Sequence, residues 1–273
     1  MQELLSNPVV QSSAAPFIVG LILAAAFYPL KLSGLAAAGG LFGTVYLVGD
    51  FSFQPLTSAR KIVLLSAAAP VLGVIADLAF KPTRATGAVL GAIFGIASLW
   101  VFWTVLAQKP PAQELLYGGA IAALVIWIVA FTVSLENDAV RAGAASMFLG
   151  LGAGVGAVLG ASASLGQYGM ALGAACGAFL LLVMVLGKRV EAGTTLTLTA
   201  SVAAALLAAG AMLLAQLPWT SLAALALVPV LVRLPLGERL PVWAQAFVAS
   251  LYALVAAAAA WALAYMASRG ITV

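Results

Sequence analysis

The chain has 273 residues, of which 64% are hydrophobic and only 7% are charged. Soluble domains carry about 25% charged residues, so a chain this poor in charge could not cover a water-exposed surface, whereas lipid requires none. The net charge is +4, but the basic residues stand singly or in pairs between apolar runs, which argues against nucleic acid as a partner. The composition predicts an all-α, polytopic transmembrane helical bundle whose partner is the lipid bilayer.

Histidine is absent, and Cys176 is the single cysteine. Most metal and haem sites in proteins need imidazole or several thiolates, and a disulfide within the chain needs two cysteines. We therefore expect no Cys/His metal centre, no His-ligated haem, no Cys–His catalysis and no other cofactor. Cys176 is interpreted as a small packing residue.

Apolar runs follow one another along the chain, and a membrane span needs about 20 such residues. Proline, glycine and lysine clusters separate the runs, as at Lys109-Pro110-Pro111. The sequence predicts ten spans: 16–30, 34–49, 60–80, 85–107, 115–135, 139–160, 166–187, 194–216, 218–232 and 242–267. The first, second and ninth runs are short, so the first two could form one broken pair and the ninth could be re-entrant.

Basic residues in alternate connections predict the orientation, because cytoplasmic loops of membrane proteins are enriched in Lys and Arg. The eight on one side are Lys31, Lys81, Arg84, Arg141, Lys188, Arg189, Arg233 and Arg239, and the four on the other are Arg60, Lys61, Lys109 and Arg269. The richer side is predicted to be cytoplasmic, with both termini outside, provided that every short run crosses. Abundant Ala, Gly and Leu, without a recognisable signal peptide, favour a bacterial inner membrane.

The spans form one integral membrane domain, 1–273, and divide into sets of five, 16–135 and 139–267. Because five is odd, the second set would be inverted relative to the first, as in many secondary transporters. The two sets show no residue-level match, so a bundle without an internal repeat stays open.

Glycines recur every four residues in three sets, and residues four apart share one helix face. The sets are Gly87, Gly91 and Gly95; Gly152, Gly156 and Gly160; and Gly169, Gly173 and Gly177. A face without side chains lets another helix approach closely, as in GxxxG packing. We predict packing within the bundle, with the second and third sets in one tight hairpin. The alternatives are an interface in a homo-oligomer or membrane complex, and a pore lining.

Glycine also alternates every two residues from Gly150 to Gly156. This stretch resembles the inner helix of rotor-ring c-subunits of ATP synthases over one helix. In that family the partner helix carries an ion-binding carboxylate, and 166–187 has none. The resemblance therefore implies close helix packing and does not extend to ion translocation.

Asp77 is the main candidate for a substrate or coupling site, because charged groups inside membranes are rare and usually functional. Pro70 in the same run frees a backbone carbonyl, which favours this interpretation. Thr195 and Thr199 share one face of the eighth span and would line a polar pathway with their hydroxyls.

Each of these candidates has a structural alternative. Asp77 lies four residues before Lys81 and seven before Arg84, a spacing that favours an ion pair. Threonine hydroxyls in membrane helices often donate to the preceding turn of their own helix. Asp138 is typical of a helix N-cap, and no pair of carboxylates is evident for acid–base chemistry.

Two function classes agree with these features. One is a permease or secondary transporter for a small solute, favoured by the number of spans, the short connections and the proline-interrupted runs. The other is a non-catalytic membrane subunit or scaffold in a larger complex, favoured by the glycine faces and the scarcity of charge. An enzyme is disfavoured, because no catalytic motif is present. A polar cavity near Asp77 would favour the transporter.

Overall fold

The computed structural model describes residues 7–48, 54–79, 84–187, 190–237 and 239–270. Every regular element in these ranges is helical, and none is a strand. Three residues used in the sequence predictions lie outside the described residues: Lys81, Lys188 and Arg189. For Arg84 the backbone is described but the side chain is not.

The described ranges contain eleven α-helices in chain order. They are α1 (Ala15–Ala26), α2 (Leu35–Val48), α3 (Ser58–Ala79), α4 (Arg84–Leu106), α5 (Pro111–Val133), α6 (Ala139–Leu159), α7 (Ala163–Leu186), α8 (Gly193–Leu214), α9 (Trp219–Leu225), α10 (Val228–Leu231) and α11 (Val242–Ser268). A π-helical turn, Val10–Ala14, leads into α1, and a short 3-10 turn, Tyr28–Leu30, follows it.

Seven of the helices, α3 to α8 and α11, are long and apolar enough to cross a membrane. The shorter apolar segments are Val10–Ala26, Leu35–Val48 and Trp219–Leu231, and they coincide with the three runs that the sequence marks as short. The predicted helical membrane bundle is confirmed. The count of ten spans stays a prediction beyond these seven.

Helix α8 is the core of the bundle. Of its most apolar stretch, 89% is buried, compared with 28% for α3 and 33% for α11. It packs against α3, α5, α6 and α7, and its middle turns are alanine-rich, from Ala200 to Ala211. Small side chains let neighbouring backbones approach within a membrane, where contact area and not water exclusion holds helices together.

Helices α6 and α7 form a hairpin in which the two backbones touch. A Cβ atom added to Gly154 would lie 2.4 Å from the backbone nitrogen of Met170, and one added to Gly150 would lie 2.5 Å from that of Gly173. On the α7 side, a Cβ atom at Gly169 would lie 2.5 Å from the Gly154 nitrogen. No side chain fits in these positions without moving a helix.

The alternation of glycine along α6 gives this helix a second, looser glycine face. A Cβ atom at Gly152 would meet the Leu225 side chain at 2.3 Å, and one at Gly156 would lie 3.5 Å from Leu217. The face of α6 that meets α7 is thus that of Gly150 and Gly154, which is offset by two residues from the predicted set.

The remaining glycines of the three sets also face neighbouring elements. On α4, Cβ atoms at Gly87, Gly91 and Gly95 would lie 2.9–3.0 Å from carbonyl oxygens of α5. A Cβ atom at Gly160 would lie 3.1 Å from the Leu217 nitrogen, and one at Gly177 would lie 3.2 Å from the Met147 sulfur.

Two alanine substitutions on α6 provide a matched test of this packing. Gly154→Ala should lower the free energy of unfolding by about 1–3 kcal/mol, because it forces α6 and α7 apart. Gly156→Ala has ordinary contact distances and a better helix propensity, so it should be neutral or stabilising. Thermal unfolding of the purified variants in detergent measures both effects, and equal melting temperatures would contradict the register described here.

Candidate functional site

A cavity of about 600 Å³ opens at one end of the bundle, where several connections meet. Charged and amide side chains contribute much of its lining: Lys31, Asp77, Glu136, Asn137, Asp138, Glu191 and Gln245. They come from the connection before α2, the end of α3, the α5–α6 and α7–α8 connections, and the start of α11. The cavity therefore collects polar groups that are far apart in the sequence.

Asp77 binds the N-terminus of α8. Its Oδ1 atom accepts a hydrogen bond from the Thr194 backbone at 2.7 Å, and its Oδ2 atom accepts from the Thr195 backbone at 2.9 Å and the Thr195 hydroxyl at 2.6 Å. The first N–H groups of a helix have no partner within it, and the helix dipole favours negative charge there. Asp77 is therefore an N-terminal cap supplied from another helix.

Glycines let α3 and its carboxylate come this close. Gly73 lies one turn before Asp77, and a Cβ atom there would lie 2.7 Å from the Thr195 Cα atom. Gly193 has a φ of +66°, and a Cβ atom on it would lie 2.5 Å from Asp77 Oδ2. Position 193 thus needs glycine both for its backbone conformation and for the space that Asp77 occupies.

Glu136 is the second carboxylate at the same helix end. It accepts a hydrogen bond from the Thr194 hydroxyl at 2.7 Å, while its backbone carbonyl accepts from the Gly193 N–H at 3.2 Å. The residue is only 7% exposed. Burial raises the pKa of Glu136 above its usual range; the hydrogen bond from Thr194 opposes this increase, and the negative charge of Asp77 adds to it.

The other two carboxylates of the cavity have basic partners. Glu191 pairs with Lys31 at 2.7 Å, and both side chains are exposed, so this ion pair contributes little to stability. Asp138 pairs with Arg141 at 3.2 Å and also accepts from the Arg141 backbone N–H at 3.1 Å. The predicted N-cap role of Asp138 is confirmed. Among the described residues, Asp77 and Glu136 are in no ion pair.

The hydroxyls of α8 divide into two groups. Thr194 and Thr195 donate to the two carboxylates, as described above. Thr197, Thr199 and Ser201 instead donate to backbone carbonyls three or four residues earlier on their own helix. The structural alternative therefore holds for Thr199, whereas Thr195 belongs to the polar cluster.

The structure brings two of the four candidate site residues into contact, Asp77 and Thr195. Pro70 lies inside α3, two turns before Asp77, and neither it nor Thr199 lines the cavity. The predicted ion pair of Asp77 falls on Lys81 and the Arg84 side chain, which lie outside the described residues. The role of all four residues in transport stays a prediction.

The sequence did not reveal Glu136 or Gln245 as part of the site. Gln245 is buried and donates through Nε2 to the Leu240 carbonyl at 2.8 Å, at the base of α11. Glu136 follows α5 in a polar turn that resembles an ordinary loop. The one available signal was that Glu136 lies in a connection on the predicted cytoplasmic side and that Asp77 lies near the end of a predicted span on the same side.

The arrangement can hold negative charge and exchange a proton at the cavity. Asp77 is held by three donors, while Glu136 is the group whose burial favours the protonated form. Within the described ranges, no group of three Asp, Glu or Cys side chains could hold a metal ion. The expectation that the protein carries no metal or cofactor remains a prediction.

Comparison with known proteins adds no family to this description. No family model matches the chain, and no curated protein or solved structure is similar enough to count as a match. Any functional conclusion therefore has to come from the geometry of the bundle itself.

Glu136 should make the stability of the protein depend on pH. The folded state keeps the Glu136 proton to a higher pH than the unfolded chain, so it binds more protons in that interval. The free energy of unfolding should therefore fall as the pH rises from the usual Glu pKa through the raised one. Glu136→Gln should remove this part of the pH dependence of thermal unfolding.

The matched control for this measurement is Glu191→Gln, which removes an exposed carboxylate from the same cavity. It should keep the wild-type dependence on pH. Identical pH profiles for wild type and Glu136→Gln would show that burial of Glu136 has no energetic consequence.

Proposed function

We propose that the protein is a permease or secondary transporter for a small solute, and that the cavity is where the solute enters or leaves the bundle. The observation that carries this proposal is the polar cavity of about 600 Å³ next to Asp77 and Glu136. Ligand sites in helical membrane proteins are commonly built where helices end or are interrupted inside the bundle. Here the interrupted end is the N-terminus of α8.

The charges of the lining indicate the class of solute. Lys31 offsets Glu191, and Arg141, which is not part of the lining, offsets Asp138. Asp77 and Glu136 have no basic partner among the described residues. A cationic solute, or one rich in hydrogen-bond donors, would balance this negative charge. A proton taken up by Glu136 would compete with it, which is the usual basis of coupling in proton-driven transport.

The proposed topology has ten spans, with both termini outside and the cavity on the cytoplasmic side of a bacterial inner membrane. Lys31 from the first connection and Glu191 from the seventh share the cavity. Gln216 from the eighth connection donates to the Gly160 carbonyl in the sixth, at 2.8 Å. The first and seventh connections can share one side only if an even number of the runs between them crosses, which supports a crossing by the second run, 34–49.

Reporter fusions test this topology. A fusion at Lys188 should report the cytoplasm and one at Val273 the periplasm, because the eight basic residues on the first side retain their connections inside. The same compartment for both fusions would mean that Trp219–Leu231, the one short segment between them, does not cross.

A membrane subunit of a larger complex is the second candidate. It is favoured by the hydrogen bonds of Asp77 and Glu136. These bonds stabilise the buried N-terminus of α8, and this structural role is enough to explain why both carboxylates are there. On this alternative the protein should purify with partners in fixed stoichiometry and show no transport alone.

Asp77→Asn distinguishes the two candidates. A coupling carboxylate must carry its charge during the cycle, so this variant should be produced at normal yield but lose uptake in reconstituted vesicles. Uptake would be measured with a panel of cationic, neutral and anionic solutes of similar size. The control is Glu114→Gln, which removes one negative charge in the first turn of α5, outside the cavity, and should keep uptake.

Two results would contradict different parts of this proposal. Wild-type vesicles that take up no solute of the panel, although the protein is inserted, would contradict the transporter. An Asp77→Asn variant that melts at a lower temperature but transports at the wild-type rate would leave the transporter standing and give Asp77 a structural role alone.

A further inference from the structure

A second feature lies on the outer surface of the bundle, away from the cavity lining. An apolar groove of about 440 Å³ runs between α5 and the short helix α9 with the turn that follows it, and Met212 of α8 adds to its lining. Ala123 and Trp127 contribute to one wall, and Ala223 and Leu227 to the other. Because α5 is long and apolar enough to cross a membrane, the groove opens towards the acyl chains of the bilayer.

The break between α9 and α10 shapes this groove. Trp127 donates through Nε1 to the Ala226 carbonyl at 3.0 Å, so it satisfies a backbone group at the break. In lipid, such a group needs a partner from the protein. The bond holds the indole ring in place at one end of the groove.

The cationic side chain of Arg233 lies just beyond the Trp127 end of the groove. The rings of Trp127 and Phe131 are stacked with centroids 4.1 Å apart, and the Arg233 guanidinium carbon lies 4.7 Å from the Phe131 centroid. Arg233 donates through one terminal nitrogen, Nη2, to the Phe131 carbonyl at 3.1 Å and to the Ser134 hydroxyl. The guanidinium is thereby fixed beside the α5–α6 connection, where the apolar helix α5 ends.

The positive charge of Arg233 has no carboxylate within ion-pair distance among the described residues. Its neighbour is a second cation, Arg141, which donates to the backbone carbonyls of Arg233 at 3.3 Å and Leu234 at 3.4 Å. Burial lowers the pKa of Arg233, and the charge of Arg141 lowers it further. Because Arg141 already pairs with Asp138, an anion at this position would offset the remaining charge, that of Arg233.

We propose that the groove and Arg233 together form a binding site for an anionic phospholipid. One acyl chain would lie in the apolar groove, and the phosphate would accept hydrogen bonds from Nε and Nη1 of Arg233. The planar fork of an arginine suits phosphate oxygens, and basic pockets between membrane helices at the cytoplasmic surface are typical sites for anionic head groups. The site is independent of the proposed transport activity.

Native mass spectrometry of the detergent-purified protein can test the site with two lipids that have the same acyl chains, phosphatidylglycerol and phosphatidylcholine. Wild type should bind phosphatidylglycerol about tenfold more tightly, because the choline ammonium of phosphatidylcholine offsets the phosphate charge that faces Arg233. Arg233→Gln should lose this preference and bind both lipids no more tightly than wild type binds phosphatidylcholine. Ala223→Trp, which fills the groove, should weaken the binding of both lipids.

The matched control is Arg239→Gln, which removes the same charge from an exposed residue of the same connection. This variant should keep the preference for phosphatidylglycerol. Inorganic phosphate added alone should not compete at the concentrations at which the lipid saturates, because the acyl chain supplies part of the affinity.

Several results would overturn the proposal. Equal binding of the two lipids by wild type would mean that the groove accepts any apolar chain. Loss of the preference in Arg239→Gln would indicate a general surface charge effect, and competition by phosphate alone would indicate a head-group site without the groove. Dimers that exclude lipid and are disrupted by Ala223→Trp would make a second copy of this chain the occupant.

Discussion

The structure depends on a helix that begins inside the protein. The first N–H groups of α8 have no partner within their own helix, and burial denies them water. Asp77 and the Glu136 carbonyl supply the missing acceptors for residues 193–195. This requirement draws α3 and the α5–α6 connection to one point. The polar cavity lies at that point because the groups that cap α8 come from several connections at once.

Much of the fold follows from the pattern of hydrophobic residues. The run 139–160 corresponds to Ala139–Leu159 and the run 242–267 to Val242–Ser268, because the residues that flank each run also cap each helix. Asp77 could be singled out because it is a charge within an apolar stretch. Its partners could not, since Thr194 is 117 residues away and nothing local connects the two.

Helix rotation was the other property that spacing could not determine. Both Gly150 with Gly154 and Gly152 with Gly156 are four residues apart, so periodicity alone cannot say which pair faces α7. The choice depends on which side of α6 the neighbouring elements occupy, with Leu217 and Leu225 on the second face. Glu136 was hidden for a similar reason, because a carboxylate in a turn becomes a buried group only when other helices close around it.

The long separation between Asp77 and α8 affects how the protein is made. Ribosomes deliver the chain from the N-terminus, so α3 enters the membrane long before its capping partner has been synthesised. Until then the carboxylate lacks the three donors that hold it in the folded protein. Insertion of α8 is thus the event that completes the earlier half of the bundle. Biogenesis of the first helices is finished only by the arrival of a later one.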